Sequence, residues 1–296
     1  MHYLAYAASL LFVSSLALTG ADSASAQREA SRVASVAESA KQALKYGPDK
    51  LQEVDYWAGR TRNAPLVVFV HGGGWKRGDK QMMDGSAKLS HWQELGYSVA
   101  SVNYRLVPDN TVEQQAQDVA DAVAYLKDNA ARLGFDGERI ALVGHSAGAH
   151  LVALVGTDPQ YFRQAGLALA DVAGIVPLDG AAYDVAYQLD HAGILMRGTY
   201  RQAFGSDPAR HRSLSPTLHA AGPNAPEFLI LHVQREDARK QSEDLAAALQ
   251  KAGTPARVQG FAGRGLCGHA AINRQLGEAD YPATPVVDAF LRKVLG

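Results

Sequence analysis

The stretch ALVGHSAGAHL (residues 141–151) places a serine between two glycines, at the junction of two apolar runs. The run before it, IALV, has the short and continuous apolar character of a buried strand, and AGAHLVALV after it predicts a helix. Small residues on both sides of a serine permit a strained strand-to-helix turn that lifts the hydroxyl above a sheet. The pattern therefore predicts a nucleophilic serine, Ser146, on such a turn.

Strands and helices alternate on both sides of this turn. Such alternation predicts right-handed crossovers and a mostly parallel sheet with helices on both faces, that is, a single α/β domain. The apolar run APLVVFVHGGGW at 64–75 predicts a buried strand that ends in a glycine loop. The other predicted strands are 51–57, 98–104, 139–144, 173–180, 227–233 and 255–261, and the predicted helices are 29–47, 111–134, 147–156, 238–253 and 285–295.

Length and charge limit the possible functions. The 296 residues, with 47% apolar and 20% charged side chains, have the composition of a globular protein with a sizeable core. Lys and Arg total 29 against 30 for Asp and Glu, so no positive excess is present to neutralise phosphates. We therefore expect no nucleic-acid partner.

The first residues resemble a secretory signal peptide. An apolar run from Leu4 to Leu18 is followed by small residues at Ala24 and Ala26, which predicts a signal peptide at 1–26, a mature domain at 27–296 and a secreted or periplasmic protein. No Lys or Arg precedes the apolar run, so an uncleaved membrane anchor is the alternative. Once the leader is cleaved, we expect no membrane contact. Cys267 is the only cysteine, and we expect it to be a small buried residue, with a reactive thiol near the site as the alternative.

Residues 181–222 break the alternation, with several Gly, Pro and His and no clear period. The segment is too long for an ordinary connection. We predict a small insertion over the sheet, a possible partial lid.

The glycine loop after the 64–75 strand predicts an oxyanion hole. Glycines let backbone N–H groups approach a ligand oxygen, so the N–H groups of Gly73 and Gly74 are candidate donors. The N–H of Ala147, directly after the serine, is the third candidate. Trp75 either forms a wall of the substrate pocket or belongs to the core.

His269 is the predicted general base. His145 leaves the tight turn in a different direction from the serine, and His150 lies one turn down the following helix. His71 begins the glycine loop, where it orients the backbone, and His232 lies inside a strand. His269 follows the last strand on a flexible segment, and catalytic residues of open α/β sheets collect beyond strand ends.

The acid is expected after the strand at 227–233, where QREDAR contains two carboxylates side by side. We select Asp237, at the entrance to the next helix, with Glu236 as the alternative; the position also suits a helix N-cap. Asp179, at an earlier strand end, is the third choice. The acid would hold the histidine tautomer and stabilise the imidazolium.

These motifs resemble the α/β-hydrolase superfamily, in particular its esterases and lipases with an HGGGW loop and a GHSAGAH turn. Small carboxylesterases and kynurenine formamidases are similar, and VNYRLVP (102–108) also fits. The resemblance covers roughly residues 50–295. It implies the α/β-hydrolase fold, a triad of Ser146, Asp237 and His269, an oxyanion hole at the three amides, and neither metal nor organic cofactor. HVQREDARKQ lacks the usual glycine after the strand histidine, and a cysteine stands two residues before His269.

We therefore expect a serine hydrolase that cleaves small carboxylic esters with a modest acyl group through an acyl-enzyme. The same machinery cleaves amides, so an arylformamidase-like amidase is the first alternative. A non-catalytic binding protein that keeps the fold is the second, and it requires a broken triad. The sequence does not indicate an oligomeric state.

Overall fold

The computed structural model describes residues 40–296, and the predicted leader with its cleavage site lies outside them. Within this part the strands form one eight-stranded sheet in the order β1-β2-β4-β3-β5-β6-β7-β8. β1 and β2 are antiparallel to their neighbours, and the pairs from β4 to β8 are parallel. The strands are β1 (Gln42–Lys45), β2 (Glu53–Trp57), β3 (Ala64–Val70), β4 (Ser98–Val102), β5 (Phe135–His145), β6 (Gly174–Leu178), β7 (Phe228–Gln234) and β8 (Ala256–Arg264).

Helices connect the strands and cover both faces of the sheet. They are α1 (Ala87–Glu94), α2 (Val112–Asp128), α3 (Ala130–Leu133), α4 (Ala147–Thr157), α5 (Pro159–Gln164), α6 (Val185–His191), α7 (Ile194–Phe204), α8 (Pro208–Ser213), α9 (Pro216–His219), α10 (Glu236–Lys251), α11 (Gly265–Arg274) and α12 (Thr284–Leu295). Two single 3₁₀ turns lie at Lys80–Met83 and Leu169–Asp171. The mostly parallel α/β sheet predicted from the alternation is confirmed.

Alternate residues of the central strands enter two apolar clusters, one on each face. In β3, Val68 and Val70 pack with residues of α2, α4 and α10, whereas Val67 and Phe69 pack with residues of α1, α11 and α12. A parallel sheet buried on both faces needs apolar residues at consecutive positions, and this explains the unbroken run in β3. The two clusters hold the carboxyl ends of the parallel strands at one edge.

The predicted helix at 29–47 is wrong where the structure describes it. Gln42–Lys45 forms β1, which pairs with residues 53–56 of β2. The helical spacing of apolar residues was a local signal, and pairing with the sheet edge overrides it. Residues 29–39 lie outside the described part.

The long helix predicted at 111–134 is present as α2 and α3. Thr111 caps α2 through a capping box with Gln114, and Gly134 ends α3 with a left-handed φ of 84°. The segment 181–222, which showed no period, contains the four short helices α6 to α9. In residues 40–296, no helix is long and apolar enough to cross a membrane.

Candidate active site

Ser146 lies between β5 and α4 with φ 57° and ψ −116°, a conformation that non-glycine residues rarely adopt. Such a position costs on the order of 1–3 kcal/mol and persists where the surroundings fix it. A Cβ on Gly144 would overlap the backbone of Gly148, and a Cβ on Gly148 would overlap the carbonyl of Val70. Both glycines of the motif are therefore required by close approach, and the turn presents Ser146 half-buried at the carboxyl edge of the sheet.

His269 lines the same cavity as Ser146. The expectation of a flexible segment is wrong, because His269 lies on helix α11, which begins directly after β8. The helix brings the half-buried imidazole over the strand ends. The backbone of His269 is also fixed, since its carbonyl accepts a hydrogen bond of 2.9 Å from Nε2 of His145.

The acid that contacts His269 is Asp179, and the prediction of Asp237 in this place is wrong. Nδ1 of His269 lies 2.6 Å from Oδ2 of Asp179, which directly follows β6. The other carboxylate oxygen accepts a hydrogen bond of 3.0 Å from the backbone N–H of Val233. Asp179 is 0% exposed and has a left-handed φ of 44°, so its carboxylate has one fixed position beneath the imidazole.

Neither Asp237 nor Glu236 takes the place of Asp179, although Asp237 also lines the cavity at Ser146. β7 ends at Gln234 and α10 begins at Glu236, so the N-cap is Arg235 and both carboxylates fall in the first helical turn. Oδ2 of Asp237 is 3.4 Å from Nε2 of Gln188 and 3.5 Å from Nη2 of Arg235, and Glu236 is exposed. Acidic residues favour a helix N-terminus, which accounts for the pair without a catalytic role.

Asp179 is held ionised by its neighbours. Burial by itself raises the pKa of this carboxyl, but the hydrogen bond from His269 and the positive charge of Arg235 outweigh burial and leave the pKa below its ordinary value. Nη1 of Arg235 lies 3.3 Å from Oδ2 of Asp179. An ionised acid at Nδ1 places the proton of the neutral imidazole there, because a carboxylate only accepts.

The glycine loop lies directly against Ser146. A Cβ on Gly72 would come within 2.9 Å of the Cβ of Ser146, and Gly74 lines the cavity. Gly73 has φ 135° and Gly74 has φ 62°, values that favour glycine. Ala147 is the first residue of α4, so its N–H has no partner within the helix. The three predicted oxyanion donors thus belong to the two segments that flank Ser146.

His71 fixes this loop, as the sequence suggested. Its Nδ1 donates to the carbonyl of Gly72 at 2.8 Å, and its ring stacks on Tyr104 with 4.4 Å between centroids. Burial lowers the pKa of His71 and keeps the ring neutral. His232 is also a satisfied interior histidine, with Nδ1 2.9 Å from the carbonyl of Val233.

The two histidines near Ser146 in the sequence, His145 and His150, are both buried and hydrogen-bonded to other parts of the structure. Burial lowers the pKa of His145 to about 3, so the ring stays neutral while its Nε2 donates to His269. Burial lowers the pKa of His150 to about 4. Its ring accepts from Nε1 of Trp75 at 3.3 Å and donates to the carbonyl of Leu214 at 2.8 Å, which ties the glycine loop to the insertion.

The cavity beside Ser146 has a volume of about 180 Å³. Trp75 both lines it and is almost fully buried, so it is a pocket wall and a core residue together. Helices α6 and α7 of the segment 181–222 contribute Gln188, Met196 and Tyr200 to the lining. Short helices whose sequence shows no pocket therefore form one side of it.

Two further expectations concern cysteine and metals. Cys267 is exposed, so the expected burial is wrong; the first turn of α11 faces solvent. Within residues 40–296, no group of three His, Cys, Asp or Glu side chains could hold a metal ion.

A mostly parallel sheet with a nucleophile elbow after β5 and a His–Asp pair at the ends of β8 and β6 defines an α/β-hydrolase of the serine esterase and lipase class. The chain belongs to the BD-FAE family, whose model matches residues 54–249.

Three relatives illustrate the similarity. Esterase LipC of Mycobacterium tuberculosis is 32% identical over 202 residues, which are 64% of this chain and 50% of LipC. An arylesterase of Saccharolobus solfataricus is 30% identical over 66% of this chain and 65% of its own. The structure of EstE1, a thermostable carboxylesterase from a metagenomic library, covers 94% of this chain and 98% of its own at a TM-score of 0.72 and 23% identity. The chain spans about half the length of LipC, the first of these relatives.

Proposed function

We propose that this protein hydrolyses carboxylic esters through an acyl-enzyme intermediate on Ser146. One observation carries the proposal: a buried, ionised Asp179 holds His269 beside the cavity into which the elbow presents Ser146. The names of the relatives support it, since LipC is called an esterase and EstE1 a carboxylesterase. The complete pair also argues against a non-catalytic binding protein, which requires a broken triad.

The proposed reaction uses each group in turn. Ser146 attacks the ester carbonyl while Nε2 of His269 takes its proton, and Asp179 stabilises the resulting imidazolium from Nδ1. The N–H groups of Gly73, Gly74 and Ala147 are the proposed donors to the tetrahedral oxyanion. His269 then protonates the leaving alcohol, and water, activated by the same imidazole, releases the acid.

The size of the cavity supports a substrate with a short acyl chain or one aromatic ring on the side that enters it. An engineered apolar cavity of about 150 Å³ binds benzene, and the cavity at Ser146 is of similar size at about 180 Å³. Trp75, Met196 and Tyr200 give it an apolar wall.

A fluorophosphonate probe tests the proposal. We expect one adduct on Ser146 in folded protein, and none in Ser146→Ala or after denaturation. Ester turnover by Ser146→Ala should fall at least about 10⁴-fold. Ser213→Ala, which changes an exposed serine, is the matched control and should keep both the label and the activity.

Absence of the adduct in folded wild-type protein would reject a serine hydrolase. A competition between an acetate ester and an N-formyl anilide with the same aryl group separates esterase from amidase. Higher kcat/KM on the anilide would assign the site to amide cleavage instead.

A further inference from the structure

A guanidinium lies against the His–Asp pair, although the reaction described above does not use it. Arg235 is 14% exposed, and its Nη1 is 2.9 Å from Nδ1 of His269 and 3.3 Å from Oδ2 of Asp179. Its Nη2 is 3.5 Å from Oδ2 of Asp237 and 3.5 Å from the carbonyl of Gly180. Arg235 directly precedes the two carboxylates among which the sequence placed the acid, and it is the residue of that segment that contacts the His–Asp pair.

The position of Nη1 bears on the histidine tautomer. The guanidinium only donates, whereas Nδ1 of a neutral imidazole either donates or accepts. When Nδ1–H donates to Asp179, Nε2 is free to accept the proton of Ser146. If Nδ1 instead accepted from Arg235, the proton would sit on Nε2 and the ring could not act as a base toward Ser146.

The charge state of Asp179 decides between these arrangements. A carboxylate that is 0% exposed is costly to ionise without a compensating charge, and an imidazole that is to accept the proton of Ser146 must be neutral and so supplies no such charge. Arg235 supplies a permanent positive charge at 3.3 Å. Within the described residues, the other titratable groups around the pair are Asp237 on α10, His145 at the end of β5, Tyr200 on α7, Tyr183 and Tyr281, with Lys88 on α1 beyond His145.

Resting on the proposed ester hydrolysis, we propose that Arg235 is a positioning residue that keeps Asp179 ionised and thereby holds His269 in the tautomer with the proton on Nδ1. Arg235 also lines the cavity at Ser146, but in this role it acts on Asp179 and His269 and not on the ester or on the hydroxyl of Ser146. Its effect should therefore appear in kcat and in the pH dependence and leave KM unchanged.

The test compares Arg235→Gln with Arg235→Lys. Without the guanidinium, burial dominates at Asp179 and a proton enters the Asp179–His269 pair more easily. Arg235→Gln should therefore lower kcat about tenfold at pH 7, keep KM within about twofold, and move the acid limb of the kcat profile up by about one pH unit. Arg235→Lys keeps the positive charge, so its acid limb should lie close to the pH at which the wild-type limb lies.

A matched control lies one helical turn away. Arg239 is exposed and pairs with Glu243, so Arg239→Gln removes the same charge and should leave the profile in place. Thermal melting of each variant checks that it is folded.

The ¹⁵N spectrum of His269 gives a readout that needs no turnover, so it separates this proposal from the proposed function. We expect the Nδ1–H tautomer in the wild type and a larger Nε2–H fraction, or ring protonation at higher pH, in Arg235→Gln. Unchanged spectra and an unchanged acid limb would overturn the proposal. A raised kcat in Arg235→Gln would also overturn it, because Arg235 would then favour the inactive tautomer, as would a raised KM alone, which would make Arg235 a substrate contact.

Discussion

β6 and β7 are parallel neighbours in the sheet, and an aspartate follows each of them within three residues, yet the two carboxylates have different environments. Asp179 comes directly after β6, is 0% exposed and binds His269 at 2.6 Å. Asp237 follows the end of β7 by three residues, lies in the first turn of α10, and has a side chain that is 31% exposed. The chain order Ser, acid, His fits either residue, so order alone does not identify the acid.

The two aspartates differ because they lie at different distances from the end of their strand. A residue that directly follows a parallel strand projects over the sheet edge, where His269 arrives from β8 and α11. By the third residue after β7 the chain has already turned into a helix, and the residue after β7 that contacts the imidazole is Arg235, at 2.9 Å. Proximity to the strand end, together with burial, therefore distinguishes the carboxylate that pairs with His269 from a helix-terminal carboxylate.

The largest expected effect tests this contrast directly. Asp179→Asn keeps the shape but places an amide where the ionised acid held Nδ1–H, so the wrong tautomer is favoured. We expect kcat on a short acyl ester to fall by about 10³–10⁴-fold, as triad theory predicts for loss of the acid. Asp190→Asn, at an exposed aspartate in the segment 181–222, is the control and should leave kcat unchanged. If Asp179→Asn keeps the wild-type kcat, the catalytic acid must instead be one of the carboxylates that follow β7.

A smaller effect is expected at the end of β5, where His145 supports His269 through its backbone. His145→Ala removes the donor to the carbonyl of His269, and a displacement of the imidazole of about 1 Å costs up to about 10²-fold in rate. We expect kcat to fall by about 10–100-fold. His145→Gln retains an N–H donor and should lose less, and His191→Gln, at an exposed histidine, should lose nothing. A loss as large as that of Asp179→Asn would instead give His145 a direct part in proton transfer.

Stability against acid provides a second readout for His145. Its pKa is lowered to about 3 in the folded state, below the ordinary value of about 6.5, so the unfolded chain binds more protons between these values. The free energy of unfolding therefore falls as pH decreases from about 6.5 toward 3, by about 1.4 kcal/mol per pH unit for this group. Denaturant titrations at pH 5 and 7 should show a smaller difference for His145→Gln.

Much of the fold follows from local sequence. The apolar runs at 64–75 and 139–144 need burial on both faces, which only a covered parallel sheet provides, and the glycines around Ser146 need a close crossing of chains. The strand at Gln42–Lys45 was missed because its structure depends on pairing with β2, which its own sequence does not specify. Three of the four helices in 181–222 have at most seven residues, which is too few turns to show a period, and α7 carries a glycine, Gly198, in its interior, which is unfavourable in a helix.

The residues of the site that belong to a sequence motif could be predicted. Those that are brought together only by the fold could not. Ser146 and the glycine loop are marked by their neighbours in sequence, and His269 by its place after the last strand. The acid is decided by which carboxylate the sheet buries, and Asp179 differs from Asp237 in that respect only once the chain is folded. Arg235 carried no sequence signal beyond its position beside the two carboxylates.

The smallest expected effect concerns the β7 carboxylates themselves. Asp237 contacts Arg235 at 3.5 Å and Gln188 at 3.4 Å, both near the limit of a hydrogen bond, and is partly exposed to solvent that screens its charge. Asp237→Asn should lower kcat less than about fivefold, through looser placement of Arg235, and Glu236→Gln, at the exposed neighbour, should stay within twofold. Parallel measurements of kcat for Asp237→Asn and Asp179→Asn decide between the two carboxylates. An equal loss of kcat in both variants would contradict the contrast between the strand ends, because Asp237 would then act on His269 as the sequence predicted.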